Sequence, residues 1–220
     1  TSLVPDAGGY AVNWEQDGRT ESTRADHVVL ALPSPQVARL VSPFAPALAS
    51  ELGALALGSA AAVTMAFRQS DLPRPLDSYG FVVPAVERRM VMACTYSSAK
   101  WDGRAPEGAA LLRVFFGGNS HPTIHQESDD RLLGYARTAL RELVGIEASP
   151  GLVRVDRYVN AMPRYHVGHL QRVARIEARV AALPGLGLVG GAYRGVGMPD
   201  VVASAEGAVR GWGGRLGDLA

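Results

Sequence analysis

Residues 25–41 read ADHVVLALPSPQVARLV. Val28 to Leu32 is an unbroken apolar run, the pattern of a strand covered on both faces. Pro33 and Pro35 stop it, because proline offers no N–H to a ladder and presets φ; Gln36 to Leu40 then begins a helix. A strand, a tight turn and a helix in so short a span is the idiom of an α/β fold. On the N-terminal side, Gly9 to Trp14 alternates as a strand does, Asp17-Gly18 supplies a hairpin turn, and Thr20 to Thr23 begins the return strand.

On the C-terminal side the idiom changes. Ala60–Phe67, Gly80–Val83, Met90–Tyr96 and Ala110–Phe116 are four β-like runs joined by Pro- and Gly-containing loops, which predicts a mostly antiparallel sheet. Leu132, Leu133, Ala136, Leu140 and Leu143 recur at helical spacing between Asp129 and Val144, and Gly145 ends that helix. Leu152 to Tyr158 reads as another strand, and Val167 to Leu183 as an amphipathic helix stopped by Pro184. A strand at Leu186–Gly190, a glycine loop and a helix from Pro199 to about Leu216 complete the pattern. The expected organisation is an α+β module over residues 48–150, inserted between residues 1–47 and 151–220 of an α/β domain.

Composition narrows the function. The chain has 220 residues, with 22 basic against 21 acidic side chains and a formal charge of +1. So balanced a charge gives no field for nucleic acid or an anionic membrane. Lys100 is the only lysine. Cys94, the single cysteine, cannot form an internal disulfide and fits a reducing compartment; between apolar neighbours it reads as a buried, inert thiol. No uncharged apolar run reaches the roughly 18–20 residues of a membrane span. The expected location is the cytoplasm, with scattered apolar residues permitting peripheral membrane contact. Because the chain starts with Thr1 inside a hairpin pattern, a preceding segment is expected.

Two stretches resemble ligand sites. Residues 185–190, GLGLVG, match the dinucleotide fingerprint formally. That fingerprint needs a strand before its first glycine and a helix starting within it, whereas here a helix and Pro184 precede and the glycines flank the strand itself. The second stretch, GGAYRGVGMPD at 190–200, is different. Gly195 and Gly197 are expected to supply positive φ and an open backbone. Pro199 and Asp200 suit a first helical turn. The free N–H groups of such a turn suit an anion or an electron-rich carbonyl; the same residues would equally make a strand–helix connection that binds nothing. His166 and His169, like His121 and His125, have no further ligand at metal spacing and are read as structural. No Ser-His-Asp or Cys-His arrangement is present.

The stretch GGAYRGVGMPD resembles the C-terminal flavin motif of the bacterial coproporphyrinogen III oxidase and protoporphyrinogen oxidase family, within the amine-oxidase-like flavoproteins. AMPRYHVGHLQRV at 161–173 resembles that family's Met-Pro-Gln-Tyr-x-Val-Gly-His signature, with Arg164 in place of Gln. ADHVVLALPSPQVARLV falls in the same order. The resemblance implies the C-terminal portion of an FAD-binding Rossmann-like domain plus a mostly antiparallel substrate domain. It implies FAD contacts at Gly191, Val196, Gly197 and Met198, and at Tyr158, where relatives often carry tryptophan. It places Gly80, Val82, Thr95 and Phe115 on the wall of a porphyrinogen cavity, positions that would serve equally as strand core.

The implied chemistry is hydride loss from the porphyrinogen to flavin, with oxygen regenerating the flavin as peroxide forms. No catalytic acid or base and no metal is assigned. The family's Gly-x-Gly-x-x-Gly segment is missing from these residues, so the chain alone is expected to bind FAD weakly or not at all and not to turn over. The rivals are protoporphyrinogen oxidation, an amine- or polyene-oxidising flavoenzyme, and a non-catalytic split subunit or remnant.

Overall fold

A computed structural model describes residues 1–119 and 121–211. The chain divides into two units, one formed by Thr1–Leu57 with Pro163–Ala220 and the other by Gly58–Met162. Both crossings fall later in the chain than the 47/48 and 150/151 boundaries expected from the sequence. Two elements account for the difference. Helix α2 (Pro46–Gly53) buries Leu48 and Leu52 in the core of the first unit, and strand β9 (Leu152–Pro163) belongs to the sheet of the second.

In the first unit, β1 (Ser2–Asp6), β2 (Gly9–Gln16) and β3 (Arg19–Ala25) form an antiparallel meander. Asp17 and Gly18 both take positive φ, 51° and 73°, as the primed turns of two-residue hairpins require. Strand β4 (Val28–Leu30) pairs in parallel with β10 (Leu186–Leu188). Helix α1 (Ser34–Val41) follows β4 and buries Val37 and Val41. Helix α5 (His169–Ala181) turns Val173 and Ile176 inward, so these side chains meet those of α1 and α2 in one core with Leu30 and Leu186. Tyr10 joins the meander to that core, its hydroxyl donating to Pro184 O at 3.1 Å. Helix α6 (Met198–Arg210) completes the unit; the expected continuation of this helix past Gly211 lies outside the described residues.

The parallel pair sets a steric condition. Gly185 lies beside β4, its carbonyl accepting from Val28 N–H at 2.7 Å. Its φ is +78°, and a Cβ there would sit 2.3 Å from Asp26 O. Glycine is required, for close approach to a strand rather than to a phosphate.

The second unit is a five-stranded sheet in the order β6-β7-β8-β5-β9, with β5 at Leu57–Arg68, β6 at Gly80–Val82, β7 at Val91–Tyr96 and β8 at Ala109–Gly117. Helix α4 (Asp129–Val144) begins and ends as the sequence predicts. Ser128 caps its start through Arg131 N–H, and Gly145 at φ 73° ends it. Leu132, Ala136 and Leu140 of α4 pack with Met65, Leu112, Val114 and Phe116 of the strands. Because strand side chains alternate between faces, the remaining residues of these strands form the opposite face.

Two measurements test this core. Leu112 is fully buried between Met65 and Tyr96, so Leu112→Ala should cost about 2–5 kcal/mol, read from the urea midpoint. Cys94 is 2% exposed, and burial pushes its thiol from 9.0 up to about 12. A thiol reagent at mildly alkaline pH should therefore label the native protein far more slowly than the urea-unfolded one.

Candidate functional site

The glycine loop joins β10 to α6. The N-cap of α6 is Gly197, with φ −68° and ψ 148° and no side-chain cap, and proline stands in the first turn. Val201 N–H returns to Gly197 O at 3.0 Å. The N–H groups ahead of it have no carbonyl a turn earlier in the helix, which is the arrangement that accepts an anion or a polarised carbonyl. Val196 and Met198, 62% and 79% exposed, flank this point.

The glycines are needed for a different reason from the one expected. Gly197 has negative φ, and Gly195 is likewise absent from the positive-φ positions. A Cβ at residue 195 would instead lie 2.4 Å from the Cβ and carboxylate of Asp200, and one at residue 197 would lie 3.0 Å from Asp200 Oδ2. Asp200 in the first helical turn packs against the loop, and only hydrogen side chains leave it room.

The second motif holds the first in place. Tyr165 donates its hydroxyl to Gly191 O at 2.6 Å, and the Gly195 backbone hydrogen-bonds the same phenol. Burial raises the Tyr165 pKa despite that bond. His169, at the start of α5, places Nε2 2.6 Å from Tyr193 O. The Tyr165 and His169 rings stack, with centroids 3.8 Å apart and planes inclined by 14°. Thus the aromatic residues of AMPRYHVGHLQRV bond loop backbone at Gly191, Tyr193 and Gly195. Tyr165 was not singled out from the sequence; its signal was its place inside the motif. His166 lies elsewhere, in a basic concavity with Arg164, Arg172 and Arg175.

Behind the loop is a cavity of about 600 Å³ bordered by Ile176, Val180, Leu188, Tyr193 and Ser204. Tyr193 is 6% exposed and its hydroxyl has no hydrogen-bond partner among the described residues. Burial pushes its pKa from 10.0 up to about 12.

The other expected site residues lie on the second unit, and all share one face of its sheet. Directly paired residues on antiparallel strands point the same way. Gly80 pairs with Thr95, Thr95 with Arg113, and Arg113 with Thr64. The next row is Val82, Ala93, Phe115 and Ala62. Gly80, Val82, Thr95 and Phe115 are therefore neighbours, and none belongs to the helix-covered core. Gly80 is sterically obligatory: φ is +131° and a Cβ would meet Cys94 O at 1.9 Å. Tyr158 of β9 joins this face through a hydrogen bond accepted from Arg113 Nη2. Arg113 was missed in the sequence, where it is one arginine among many in a strand.

The whole described span matches one family model, flavin containing amine oxidoreductase, over residues 1–211. The chain belongs to that family. It is 37% identical over 191 residues to a coproporphyrinogen III oxidase of Propionibacterium freudenreichii, covering 86% of this chain and 35% of that protein. It is 32% identical over 186 residues to a coproporphyrinogen III oxidase of Bacillus subtilis, covering 84% and 39%. A crystal structure assigned as a protoporphyrinogen oxidase of Exiguobacterium sp. 255-15 superposes with a TM-score of 0.78 at 35% identity, covering 96% of this chain and 45% of that one. The chain thus spans less than half the length of these relatives.

The family implies FAD, and the loop fits the ring portion of that cofactor. Exposed Val196 and Met198 stand beside half-buried Gly197, and the uncapped helix start offers N–H groups that suit a flavin carbonyl.

Two tests follow from the loop geometry. Gly195→Ala should cost about 1–3 kcal/mol through overpacking. Most of that cost should disappear in an Asp200→Gly background, a coupling that a double-mutant cycle measures directly. Tyr193 holds its proton more tightly folded than unfolded, so its contribution is complete below pH 10 and lost as pH rises toward about 12. Tyr193→Phe should remove that alkaline loss and change stability at neutral pH by less than about 1 kcal/mol, since the hydroxyl bonds nothing. Thermal melts against pH read both effects.

Proposed function

We propose that this chain provides the flavin-ring and substrate-facing parts of an FAD-dependent oxidase that converts coproporphyrinogen III to coproporphyrin III, with oxygen as acceptor and peroxide as by-product. The observation that supports it best is the single sheet face carrying Gly80, Val82, Thr95 and Phe115, on which an apolar row lies beside a polar one, as a macrocycle with polar side chains requires. The relatives named coproporphyrinogen III oxidase point the same way.

When bound, FAD would supply the hydride acceptor for the porphyrinogen and the route for its electrons to oxygen. The chain's own contribution is placement. Gly191, Val196, Gly197 and Met198 hold the ring edge, and the start of α6 favours negative charge there. Tyr158 offers an aromatic face to the cofactor. The sheet face orients the substrate, so that reaction is favoured by proximity, and no residue is assigned as a general base.

In this reading the protein acts in porphyrin biosynthesis in the cytoplasm, where scattered apolar residues permit peripheral membrane contact without requiring it. These residues work together with a segment bearing Gly-x-Gly-x-x-Gly that holds the rest of FAD, and without it they bind flavin weakly and do not turn over. Protoporphyrinogen is the competing substrate, favoured by the assignment of the Exiguobacterium structure.

The test supplies each porphyrinogen, under air, to the FAD-loaded enzyme in which these residues are joined to that glycine-rich segment, and follows porphyrin fluorescence with peroxide release. Faster turnover of coproporphyrinogen is expected; a preference for protoporphyrinogen, or no porphyrin from either, overturns the reading.

A further inference from the structure

Arg113 is set apart from the other arginines by what surrounds it. Arg89, Arg157, Arg172 and Arg194 each meet a carboxylate at 2.5–2.8 Å. Among the described residues Arg113 forms no such pair. Its Nη2 donates to the Tyr158 hydroxyl, and its Nε is buried without a partner. Its guanidinium carbon lies 5.2 Å from the centroid of the Phe115 ring and 5.7 Å from that of Tyr158. Asp156, two positions before Tyr158 on the same strand, is bonded to Arg154 at 2.8 Å. Thr64 and Thr95, its direct cross-strand neighbours, carry no charge.

A half-buried cation costs free energy unless an anion compensates it. Two aromatic faces and a phenol supply only part of that compensation. They also fix the plane of the guanidinium, which is the preorganisation that bidentate carboxylate binding uses.

We propose that Arg113, steadied by Phe115 and Tyr158, is a carboxylate subsite on the outer face of the second unit's sheet, and that it takes a propionate of the porphyrinogen. This inference rests on the porphyrinogen reading and deepens it. The row Val82, Ala93, Phe115 and Ala62 gives the apolar floor for the macrocycle, and the adjacent row carries the charge that meets its edge. Arg113 is thus a specificity residue, favouring a substrate rich in propionates over one whose ring edge carries vinyl groups.

The test is equilibrium binding of oxidised coproporphyrin III and of its tetramethyl ester, followed by porphyrin fluorescence, to the FAD-loaded enzyme in which these residues are joined to the glycine-rich FAD segment. The unmodified protein should bind the acid about ten- to a hundredfold more tightly than the ester, the range of a charge-assisted hydrogen bond. Arg113→Gln should abolish that preference, leaving ester affinity and flavin content unchanged. Arg113→Lys, which keeps the charge, should retain part of the preference and checks that the site still folds.

Equal loss of acid and ester affinity in Arg113→Gln would mean a structural role and overturn the inference. So would an unchanged preference for the acid. Loss of flavin with porphyrin affinity kept would identify the anion as a cofactor phosphate and overturn it too. If the unmodified protein binds neither porphyrin, the porphyrinogen reading falls as well; if it binds both and only the glutamine variant fails to discriminate, both proposals stand.

Discussion

The parallel pairing of Val28–Leu30 with Leu186–Leu188 is the constraint on which the first unit depends. A parallel pair cannot be closed by a hairpin, so everything between the two strands has to leave and return. The loop-closure entropy of so long a connection grows only logarithmically with its length, and a second unit with its own core can therefore be accommodated within it. The pairing also puts the C-terminal ends of both strands on the same side. One leads to α1, the other to the glycine loop, which is where open α/β sheets place their ligands. The closeness of the pair is maintained by Gly185, whose missing Cβ lets Asp26 O approach.

In the second unit the governing rule is the two-residue period of a strand. Leu112, Val114 and Phe116 point toward α4 and are fully buried. Arg113 and Phe115, interleaved with them, point away. The same alternation runs through β6 and β7, so one face is closed by a helix while the other gathers aromatic, small and cationic side chains into rows. Slipping any strand by one residue would exchange the faces. Core and candidate substrate surface are consequently specified together.

The glycines of the loop are required for a physical reason other than the one the sequence suggests. From the sequence, Gly195 and Gly197 suggested unusual φ. Their conformations are ordinary for any residue, and the restriction comes from Asp200 packed against them. Such a contact between residues three and five apart depends on how the helix start is rotated. The same holds for Tyr165 and His169, which lie more than twenty residues from the carbonyls they engage, with sequence separations of 26 and 24. Helix α2 was likewise invisible. Its N-cap is alanine, its first turn has no acid, and it lies in an Ala- and Leu-rich stretch whose period favours neither helix nor strand.

The sequence by itself determined the elements whose signals are local. These are helix α4 with its apolar period and glycine stop, the hairpin at Asp17-Gly18, four of the five strands of the second unit's sheet, and the two motifs that carry the family resemblance. Capping, turn chemistry and hydrophobic period act over a few residues and survive in one dimension. Only the tertiary structure decided where the units divide, which face of the sheet Gly80, Val82, Thr95 and Phe115 occupy, and that Arg113 stands among aromatic rings with, among the described residues, no acid paired to it. Those facts are distances between residues far apart in the chain, set by strand register and packing, and no single segment contains them.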